Sequence, residues 1–347
     1  MRALAAAVGP FETRNLQFRS TELLTNLLLR KTLLGLQPRR SDALQPPWPD
    51  LVITAGRRNE PVARWIRQAS GQRTKLVHIG RPWSRPANFD LIVTTPQYFV
   101  PMADNVLMLT LPLHGLTPAA LAAGAAAWLP ALQHLPRPWT AVLVGGNSGP
   151  YRFTAARATR FAQLLLEHRG HGSLLVSTSG RTPHASVAAL RAGLAGHPQH
   201  FYNWHQDRQV ANPYAAYLGL ADDFVVTAES ASMLAEACST GKHVAMFDLA
   251  GPPREPLGGL YWKPLTFVIA QRLAPTRFRR DVSQLHKRLL ATGQVDWLGM
   301  EQRPQRGLTA QDTDKQAKRP APQTTSMSAA QELAQAAARV SALLDQQ

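Results

Sequence analysis

One stretch, residues 224–249 (FVVTAESASMLAEACSTGKHVAMFDL), constrains the fold of this chain more than any other. Its ends, 224–227 and 244–247, are short apolar runs typical of strands that are buried on both faces. Small and polar residues follow the first run, 233–238 has the spacing of a short helix, and Gly241 marks the end of that helix. The stretch therefore predicts a strand, a polar turn, a helix and a parallel strand, the unit from which α/β sheets are built.

The polar turn in this stretch has the composition of a loop that binds phosphates or sugars. A helix that begins just after the carboxyl end of a parallel strand presents N–H groups and a partial positive charge. Serine hydroxyls can donate to a phosphate there, and glutamates can accept from ribose or sugar hydroxyls. Alternatively, the serines only cap the helix and Glu236 lies on a solvated face. The candidate donor-binding residues of this turn are Glu229, Ser230, Ser232, Met233 and Glu236.

Three further polar turns follow predicted strands in the second half of the chain. A glycine-rich turn after the strand at 140–144 precedes a helix at 155–168, an arrangement that cradles phosphate with backbone N–H groups. It lacks the lysine of a P-loop and the full dinucleotide fingerprint. Because the carboxyl ends of parallel strands meet at one edge of a sheet, the turns predict a ligand-binding rim. Their candidate donor-binding residues are Gly145, Gly146, Asn147, Ser148, Gly149, Arg152, Thr178, Ser179, Arg181, Asn212 and Tyr214.

The first half of the chain shows the same alternation of strands and helices. Gly56, Arg57 and Arg58 follow one predicted strand and are candidates to contact an anionic acceptor. The candidate acid or base residues also have structural alternatives, since a glutamate can complement a helix dipole and a lone histidine is more often structural. They are Glu60, His78 and His114. The predicted strands of this half are 11–18, 51–54, 75–79, 90–94 and 106–109.

Two α/β domains are predicted, 1–138 and 139–300, with a boundary at the proline-rich segment 135–138. Residues 301–326 have almost no apolar side chains and are predicted to be a disordered linker. Residues 327–347 are predicted to contain an amphipathic helix that packs back on the body. The sequence opens on MRALAAAV, which is typical of a helix. Since α/β domains open on a strand, we expect that it starts one strand and one loop late.

The chain is strongly basic, with a formal net charge of +16 from 38 Lys and Arg against 22 Asp and Glu. Residues 1–90 alone carry 15 basic and 6 acidic residues. This asymmetry favours an anionic partner such as a phospholipid surface or a lipid-phosphate acceptor, although an arginine-rich composition without function is the alternative. No basic run is interleaved with aromatic residues in the pattern of a nucleic-acid module, so no nucleic-acid partner is expected.

A predicted leucine-rich helix at 21–36 with basic neighbours indicates that 21–40 contacts an anionic membrane surface, or that the helix is simply buried. No apolar run is long enough to span a bilayer. Cys238 is the only cysteine, which excludes an intrachain disulfide. We therefore expect a cytoplasmic protein, or one bound peripherally to the inner membrane. No His/Asp cluster has ligand spacing, so no metal is expected.

Several segments together resemble the family named after a plant mitochondrial fission protein, the ELM family, which is regarded as a group of GT-B glycosyltransferases. The resemblance covers most of residues 3–300. By this resemblance, Glu229 stands where the family pattern has aspartate, and we expect the family's first strand and its histidine-bearing loop to fall before the point where this sequence begins. The matching segments are TAESASMLAEACSTGKHV, DLVITAGRRNEPVARWI, VLVGGNSGPYRF, LLVSTSGRTP and NPYAAYLGLADDFVVTAES.

This resemblance implies two Rossmann-like domains that face a cleft. The second would bind a nucleotide-diphosphate sugar, and the first would bind a cell-envelope, lipid-linked or saccharide acceptor. Neither a metal nor a cofactor beyond the donor is implied. A non-enzymatic scaffold or regulator is the alternative that the family's name suggests, and another nucleotide-sugar-modifying enzyme is a third. The lack of a Tyr-x-x-x-Lys pair counts against an epimerase.

Overall fold

The computed structural model divides into two compact α/β units. It describes residues 1–19, 31–250, 280–299 and 328–345. Of these, the first unit contains the described part of 1–115 together with 280–285 and 328–345, and the second contains 116–250 and 286–299. Both units are built on sheets of parallel strands, so the predicted α/β class with two Rossmann-like units is confirmed.

The helices and strands are numbered in chain order within the described residues. The strands are β1 (Leu51–Ala55), β2 (Lys75–Ile79), β3 (Leu91–Thr94), β4 (Val106–Met108), β5 (Trp139–Gly146), β6 (Ser173–Arg181), β7 (Gln199–Tyr202), β8 (Asp223–Thr227), β9 (Val244–Phe247) and β10 (Val295–Trp297). The helices are α1 (Arg2–Val8), α2 (Asn59–Ala69), α3 (Pro118–Leu132), α4 (Ala155–His168), α5 (His184–Gly193), α6 (Tyr214–Leu220), α7 (Ala231–Cys238), α8 (Ser283–Ala291) and α9 (Ala329–Leu344).

The first unit has a four-stranded sheet in the order β1-β2-β3-β4. One apolar core joins Leu4 of α1, Val77 of β2 and Val340 of α9. Glu332 of α9 is buried, and its Oε1 accepts a hydrogen bond of 2.5 Å from the N–H of Thr110, just after β4. The terminal helix therefore packs back on this unit, as predicted.

The second unit has a six-stranded sheet in the order β10-β9-β8-β5-β6-β7. This is the Rossmann order, in which the chain builds outward from β5 in one direction and then returns to build outward from β8 in the other. The adjacent strands β5 and β8 form the topological switch point, outside whose carboxyl ends such sheets bind ligands. Val142 of β5 and Val225 of β8 lie in the core beneath it.

The division between the units differs from the predicted domain boundary at 135–138. It falls after Gly115, because α3 packs on α6 of the second unit. A Cβ atom on Gly124 of α3 would lie 2.9 Å from the backbone nitrogen of Ala216, so glycine permits a very close helix contact there. A predicted linker between α3 and β5 thus lies inside a compact unit.

Other local predictions also need correction. The predicted strand at 11–18 is irregular, apart from an isolated antiparallel bridge between Phe18 and Leu36. Residues 31–35 of the predicted leucine-rich helix form turns and bends instead, Leu36 forms the bridge, and 21–30 lie outside the described residues. The predicted linker at 301–326 also lies outside them. In the described part of the chain, no helix has the length and apolar character needed to cross a membrane.

Candidate functional site

Two glycines end β5 at the switch point of the second sheet. The N–H of Gly145 donates to the Thr227 hydroxyl over 2.8 Å. The N–H of Gly146 donates to Oε1 of Glu229 over 2.6 Å. A Cβ atom on Gly145 would lie 2.0 Å from that same oxygen, and one on Gly146 would lie 2.4 Å from the carbonyl oxygen of Arg181. Both positions therefore require glycine, and Gly146 also has a φ of +116° that side chains rarely adopt.

Glu229 is a buried carboxyl group packed against this turn, with only 1% of the residue exposed. Its second oxygen, Oε2, makes no hydrogen bond within the part of the chain that the structure describes. Burial raises the pKa of Glu229 to about 7, although the Thr227 hydroxyl, the charge on Arg181 and backbone N–H groups act in the opposite direction. The carboxyl therefore holds its proton more strongly than an exposed glutamate does.

Arg181 brings a positive charge to the same point from the end of β6. Its guanidinium lies 3.9 Å from Oε1 of Glu229 and donates to the Ser230 hydroxyl over 3.4 Å. The side chain of Arg181 is 46% exposed, whereas that of Glu229 is fully covered. The guanidinium can therefore reach a ligand from solvent while the carboxyl beneath it holds its position.

Helix α7 begins beside this group. Ser230 occupies the N-cap position, but its side chain makes no capping hydrogen bond. Its hydroxyl instead accepts from Arg181. Ser232 is exposed and Met233 is half-buried in the first turn. The capping alternative therefore does not describe Ser230, and the helix presents its N–H groups and partial positive charge without a side-chain cap.

Glu236 lies on α7 and pairs with Tyr214 at the start of α6. The Tyr214 hydroxyl donates a hydrogen bond to Oε2 of Glu236. Burial raises the pKa of Glu236, and the bond from Tyr214 partly offsets this effect. Burial, and then the neighbouring carboxylate, raise the pKa of Tyr214 well above its usual range. The Glu236 carboxyl is thus held in a half-buried position and is not on a freely solvated face.

The glycine-rich loop after β5 is closed by its own hydrogen bonds. Ser148 and Tyr151 exchange backbone hydrogen bonds of 3.0 Å each. Gly149 between them has a φ of +57°. The carbonyl of Arg152 accepts from the guanidinium of Arg157 over 2.6 Å. The loop therefore has a shape fixed by local bonds.

Other predicted donor-binding residues have structural partners. The Thr178 hydroxyl accepts from the N–H of Trp204 over 3.0 Å. The Ser179 hydroxyl donates to the carbonyl of Gly145, and Asn147 accepts through Oδ1 from a backbone N–H six residues later. Asn212 likewise accepts from the N–H of Tyr214 over 3.0 Å. These side chains shape the strand ends.

The acid or base candidates of the first unit lie in structural environments. Glu60 is 1% exposed and accepts hydrogen bonds from the backbone N–H groups of Trp83 and Ser84, over 2.6 and 3.0 Å. His78 is fully buried in β2, and burial lowers its pKa to about 4, although the backbone of Arg81 opposes that change. Burial also lowers the pKa of His114. Glu60 therefore anchors a loop, and His78 is neutral near pH 7.

Gly56, Arg57 and Arg58 directly follow β1, which ends at Ala55. Gly56 has a φ of +77°, and a Cβ atom there would meet no heavy atom within 4 Å. The Arg57 guanidinium lies 4.9 Å from the centre of the Trp83 ring. These residues form an open, basic strand end and remain predicted acceptor contacts.

Sequence reasoning missed two threonines that shape the site. Thr227 accepts from the Gly145 N–H, and the Thr182 hydroxyl donates to the Gly145 carbonyl over 3.1 Å. Their positions at the ends of predicted strands were the available signal.

Nowhere in the described ranges do three or more His, Cys, Asp or Glu side chains gather to hold a metal ion.

The fold and this geometry define an α/β protein with a polar cluster at the switch point of a Rossmann-type sheet. The chain belongs to the mitochondrial fission ELM1 family, whose model matches residues 1–293. It is 30% identical over 240 residues to the mitochondrial fission protein ELM1 of Arabidopsis thaliana, covering 62% of this chain and 56% of the plant protein. The match thus spans little more than half of that relative.

Two further matches are an uncharacterized protein and a solved structure of much lower identity. The chain is 28% identical over 279 residues to an uncharacterized protein of Rickettsia prowazekii (strain Madrid E), covering 71% of this chain and 78% of that protein. It is similar to the crystal structure of a glycosyltransferase from Rickettsia africae ESF-5, with 12% identity, a TM-score of 0.35 and coverage of 70% and 72% of the two chains. A likeness of that degree carries no argument about substrate or reaction.

Proposed function

We propose that this protein is a glycosyltransferase whose second unit binds a nucleotide-diphosphate sugar. The observation that supports this most directly is the switch-point cluster, by which we mean Gly145, Gly146, Arg181, Glu229 and Ser230. Arg181 and the start of α7 offer N–H donors to diphosphate oxygens. The N–H groups of Gly145 and Gly146 are bonded to Thr227 and Glu229 and hold the neighbouring turn in shape. Glu236 offers a positioned acceptor for a ribose or sugar hydroxyl.

The chemistry would be displacement at the anomeric carbon of the sugar. The bond from that carbon to an acceptor oxygen forms, and its bond to the diphosphate oxygen breaks. The proton of the acceptor hydroxyl passes to a base, and the diphosphate leaves with the electron pair of the broken bond. The guanidinium of Arg181 and the N–H groups of α7 would stabilise the charge that develops on the diphosphate. Glu60 is bonded to backbone N–H groups and His78 is fully buried, so no base is assigned.

The acceptor would be bound by the first unit and would be a cell-envelope or lipid-linked molecule, or a saccharide. The basic residues that follow β1, the half-buried Arg57 and the exposed Arg58, support an anionic group in that acceptor. The predicted contact of 21–40 with an anionic membrane surface fits a lipid-linked substrate. It remains a prediction, because much of that segment lies outside the described residues.

Family membership supports a second function. The Arabidopsis relative is named a mitochondrial fission protein, and a scaffold or regulator that does not turn over a sugar nucleotide would also belong to the family. The two functions differ at the switch-point cluster. An enzyme needs it for a donor, whereas a scaffold needs only the fold beneath it.

Calorimetry on the full chain with UDP, GDP, ADP and dTDP separates these functions. We expect saturable binding of at least one nucleoside diphosphate, and a loss of about tenfold in affinity in Arg181→Gln, since the guanidinium bonds to the diphosphate are removed. The control is Arg191→Gln, which removes an exposed arginine of α5 that stacks on Phe201 in the same unit. Absence of binding at millimolar nucleotide would support the scaffold.

A further inference from the structure

The buried carboxyl group of Glu229 lies directly behind the residues proposed to bind the diphosphate. Its Oε1 accepts the N–H of Gly146 over 2.6 Å, and the Arg181 guanidinium lies 3.9 Å from the same oxygen. Arg181 also donates to the hydroxyl of Ser230, the N-cap residue of α7. An anion that binds to Arg181 at the start of α7 therefore arrives next to a carboxyl whose side chain is fully covered.

The two oxygens of this carboxyl have different surroundings. Oε1 accepts the Gly146 N–H, whereas Oε2 is covered and no group in the described ranges donates to it. Negative charge on such an oxygen is unfavourable, because neither water nor a hydrogen bond stabilises it there. A proton on Oε2 removes that charge and leaves the bond to Gly146 in place. Oε2 is therefore the oxygen of Glu229 on which a proton is best accommodated.

Arg181 supplies the positive charge that acts on this carboxyl. Burial raises the pKa of Glu229 to about 7, and it is opposed by the Thr227 hydroxyl, the charge on Arg181 and backbone N–H groups, that of Gly146 included. The hydroxyl and the N–H groups belong to the fold and stay where they are when a ligand binds. The guanidinium is 46% exposed, so its charge is the one that a ligand can share.

Other titratable groups near this point are engaged elsewhere. Glu236, further along α7, accepts from a tyrosine hydroxyl. His286 of α8 donates through Nε2 to the backbone carbonyl of the residue before Glu229, over 2.6 Å. Asp248, which follows β9, is exposed and accepts from a backbone N–H over 2.7 Å. None of these bonds is made to the Glu229 carboxyl, which leaves Arg181 as the charged side chain through which a ligand acts on it.

We infer that Glu229 takes up a proton at Oε2 when a diphosphate group binds to Arg181 and the start of α7. The bound oxygens share the positive charge of the guanidinium and add negative charge beside the carboxyl, and both effects favour its neutral form. The proton comes from the solution, and no other covalent bond forms or breaks. The inference deepens the proposed function and rests on it for the identity of the ligand, whereas the coupling itself requires only a diphosphate.

This coupling distinguishes the product of transfer from the donor. Breaking the bond to the sugar frees a phosphate oxygen that ionises near neutral pH, so the leaving nucleoside diphosphate carries more negative charge than the donor. A protonated Glu229 therefore favours retention of the diphosphate, and loss of that proton favours its release. Proton uptake should accordingly be larger for a nucleoside diphosphate than for a nucleotide sugar.

The test is carboxyl ¹³C NMR of the full chain labelled with glutamate that carries ¹³C at Cδ. The signal of Glu229 is assigned from Glu229→Gln, and its midpoint pH is measured without ligand, with UDP, GDP, ADP or dTDP, and with inorganic pyrophosphate, at constant ionic strength. We expect a saturating diphosphate to raise the midpoint by about one pH unit, the lower end of the effect of a nearby charge. The signal of Glu167, exposed on α4 and assigned from Glu167→Gln, should keep its midpoint.

The affinity for the diphosphate gives a second readout. If the midpoint rises by about one pH unit, the affinity should fall by about tenfold in total as the pH increases from below the free midpoint to above the bound one. Glu229→Gln keeps an oxygen for the Gly146 N–H and has no proton to exchange. The ligand's own titration is common to both proteins, so the difference between them isolates Glu229. We expect the wild type to show the additional fall and the variant to lack it.

Arg181→Gln separates the coupling from burial alone. Without the guanidinium, the Glu229 midpoint of the free protein should already be higher than in wild type. A saturating diphosphate should then raise it less, because there is no charge left for the ligand to share. An equal rise in Arg181→Gln and wild type would overturn the part given to Arg181.

Binding of a nucleoside diphosphate with an unchanged Glu229 midpoint would overturn this inference while the donor site stands. A raised midpoint with pyrophosphate, but with no nucleotide, means that the coupling stands and the proposed donor function fails. Failure of every diphosphate to bind overturns both. An equal rise in the midpoints of Glu167 and Glu229 would reveal a general effect of the added anion and would also contradict the inference.

Discussion

The two units end their strands in different ways. In the second unit, the glycines that end β5 are enclosed, and a Cβ atom on Gly145 would meet the carboxyl of Glu229 at 2.0 Å. In the first unit, Gly56 ends β1 with open space around its Cα. The end of β5 is packed into a fixed polar cluster, whereas at the end of β1 the glycine serves only the turn of the backbone. Tight packing of this kind fixes the shape of the β5 turn.

The charged side chains near the strand ends also differ between the two units. The switch-point cluster sets Arg181 beside a buried carboxyl, whereas in the first unit the Arg57 guanidinium lies over the Trp83 ring and that of Arg280 lies near the Tyr98 ring. The strand orders differ as well, because the second sheet has a switch point and the described first sheet runs in sequential order. The comparison teaches that two units of one fold class can end their strands with different packing and different charge.

Matched glycine substitutions test this difference with the largest expected effect. Gly145→Ala places a methyl group against Glu229, so we expect the free energy of unfolding of the second unit to fall by about 3 kcal/mol or more. Gly56→Ala introduces only backbone strain, worth about 1 kcal/mol. Denaturant unfolding measures both. Equal losses in the two variants would show that the β5 turn is no more tightly packed than β1.

Glu236→Gln tests the acceptor group of the proposed donor site. We expect nucleotide-sugar affinity to fall by about 1.5–3 kcal/mol, the range for a hydrogen bond to a charged group, with little change in stability. Calorimetry gives the affinity. The control is Glu167→Gln, which changes an exposed side chain of α4. A large fall in melting temperature with unchanged affinity would assign Glu236 a structural task.

The pH dependence of stability tests the buried Glu229. Its folded pKa, about 7, lies above the ordinary value of 4.5, so the protonated form favours the fold. The stabilisation is complete below pH 4.5 and is lost as the pH rises to about 7. Glu229→Gln keeps an acceptor for Gly146 and should flatten this fall, which is worth roughly 1–3 kcal/mol. Identical melting profiles from pH 4.5 to 8 in both proteins would contradict the burial of this carboxyl.

Tyr214→Phe should have the smallest effect. It removes one hydrogen bond to Glu236, so we expect donor affinity to fall by about 0.5–1.5 kcal/mol. The loss should vanish in the Glu236→Gln background, since the two residues act together. Additive losses in the double variant would show that Tyr214 acts independently of Glu236.

Strands formed by buried apolar runs were predicted well from the sequence, because such short runs seldom form other structures. The bounds of β2, β9 and α4 agree with their predictions. The alternating segment at 11–18 failed, since alternation without a partner strand does not make a sheet, and only Phe18 forms a bridge. Helix α5 and strand β10 were not predicted. Short elements of this kind depend on the body against which they pack.

The candidate site was predicted in composition but not in contacts. Polar strand ends identified Gly146, Arg181 and Glu229, yet nothing in their spacing revealed that a carboxyl would be buried against a glycine. The pairing of Glu236 with Tyr214 joins residues on two helices. Arg280 reaches Gln97 across 183 positions of sequence, and such contacts follow only from the folded chain.

Hydrogen exchange of the full chain, with and without saturating nucleoside diphosphate, tests the central claim most directly. Binding at the switch-point cluster should slow amide exchange in 145–149, 179–182 and 228–232, because these N–H groups gain ligand partners or lose access to water. The strand ends at 56–60 and 80–84 of the first unit should be unchanged. Slowed exchange confined to the second unit is the result predicted here. Unchanged exchange there, or protection only in the first unit, would contradict the assignment of the donor site.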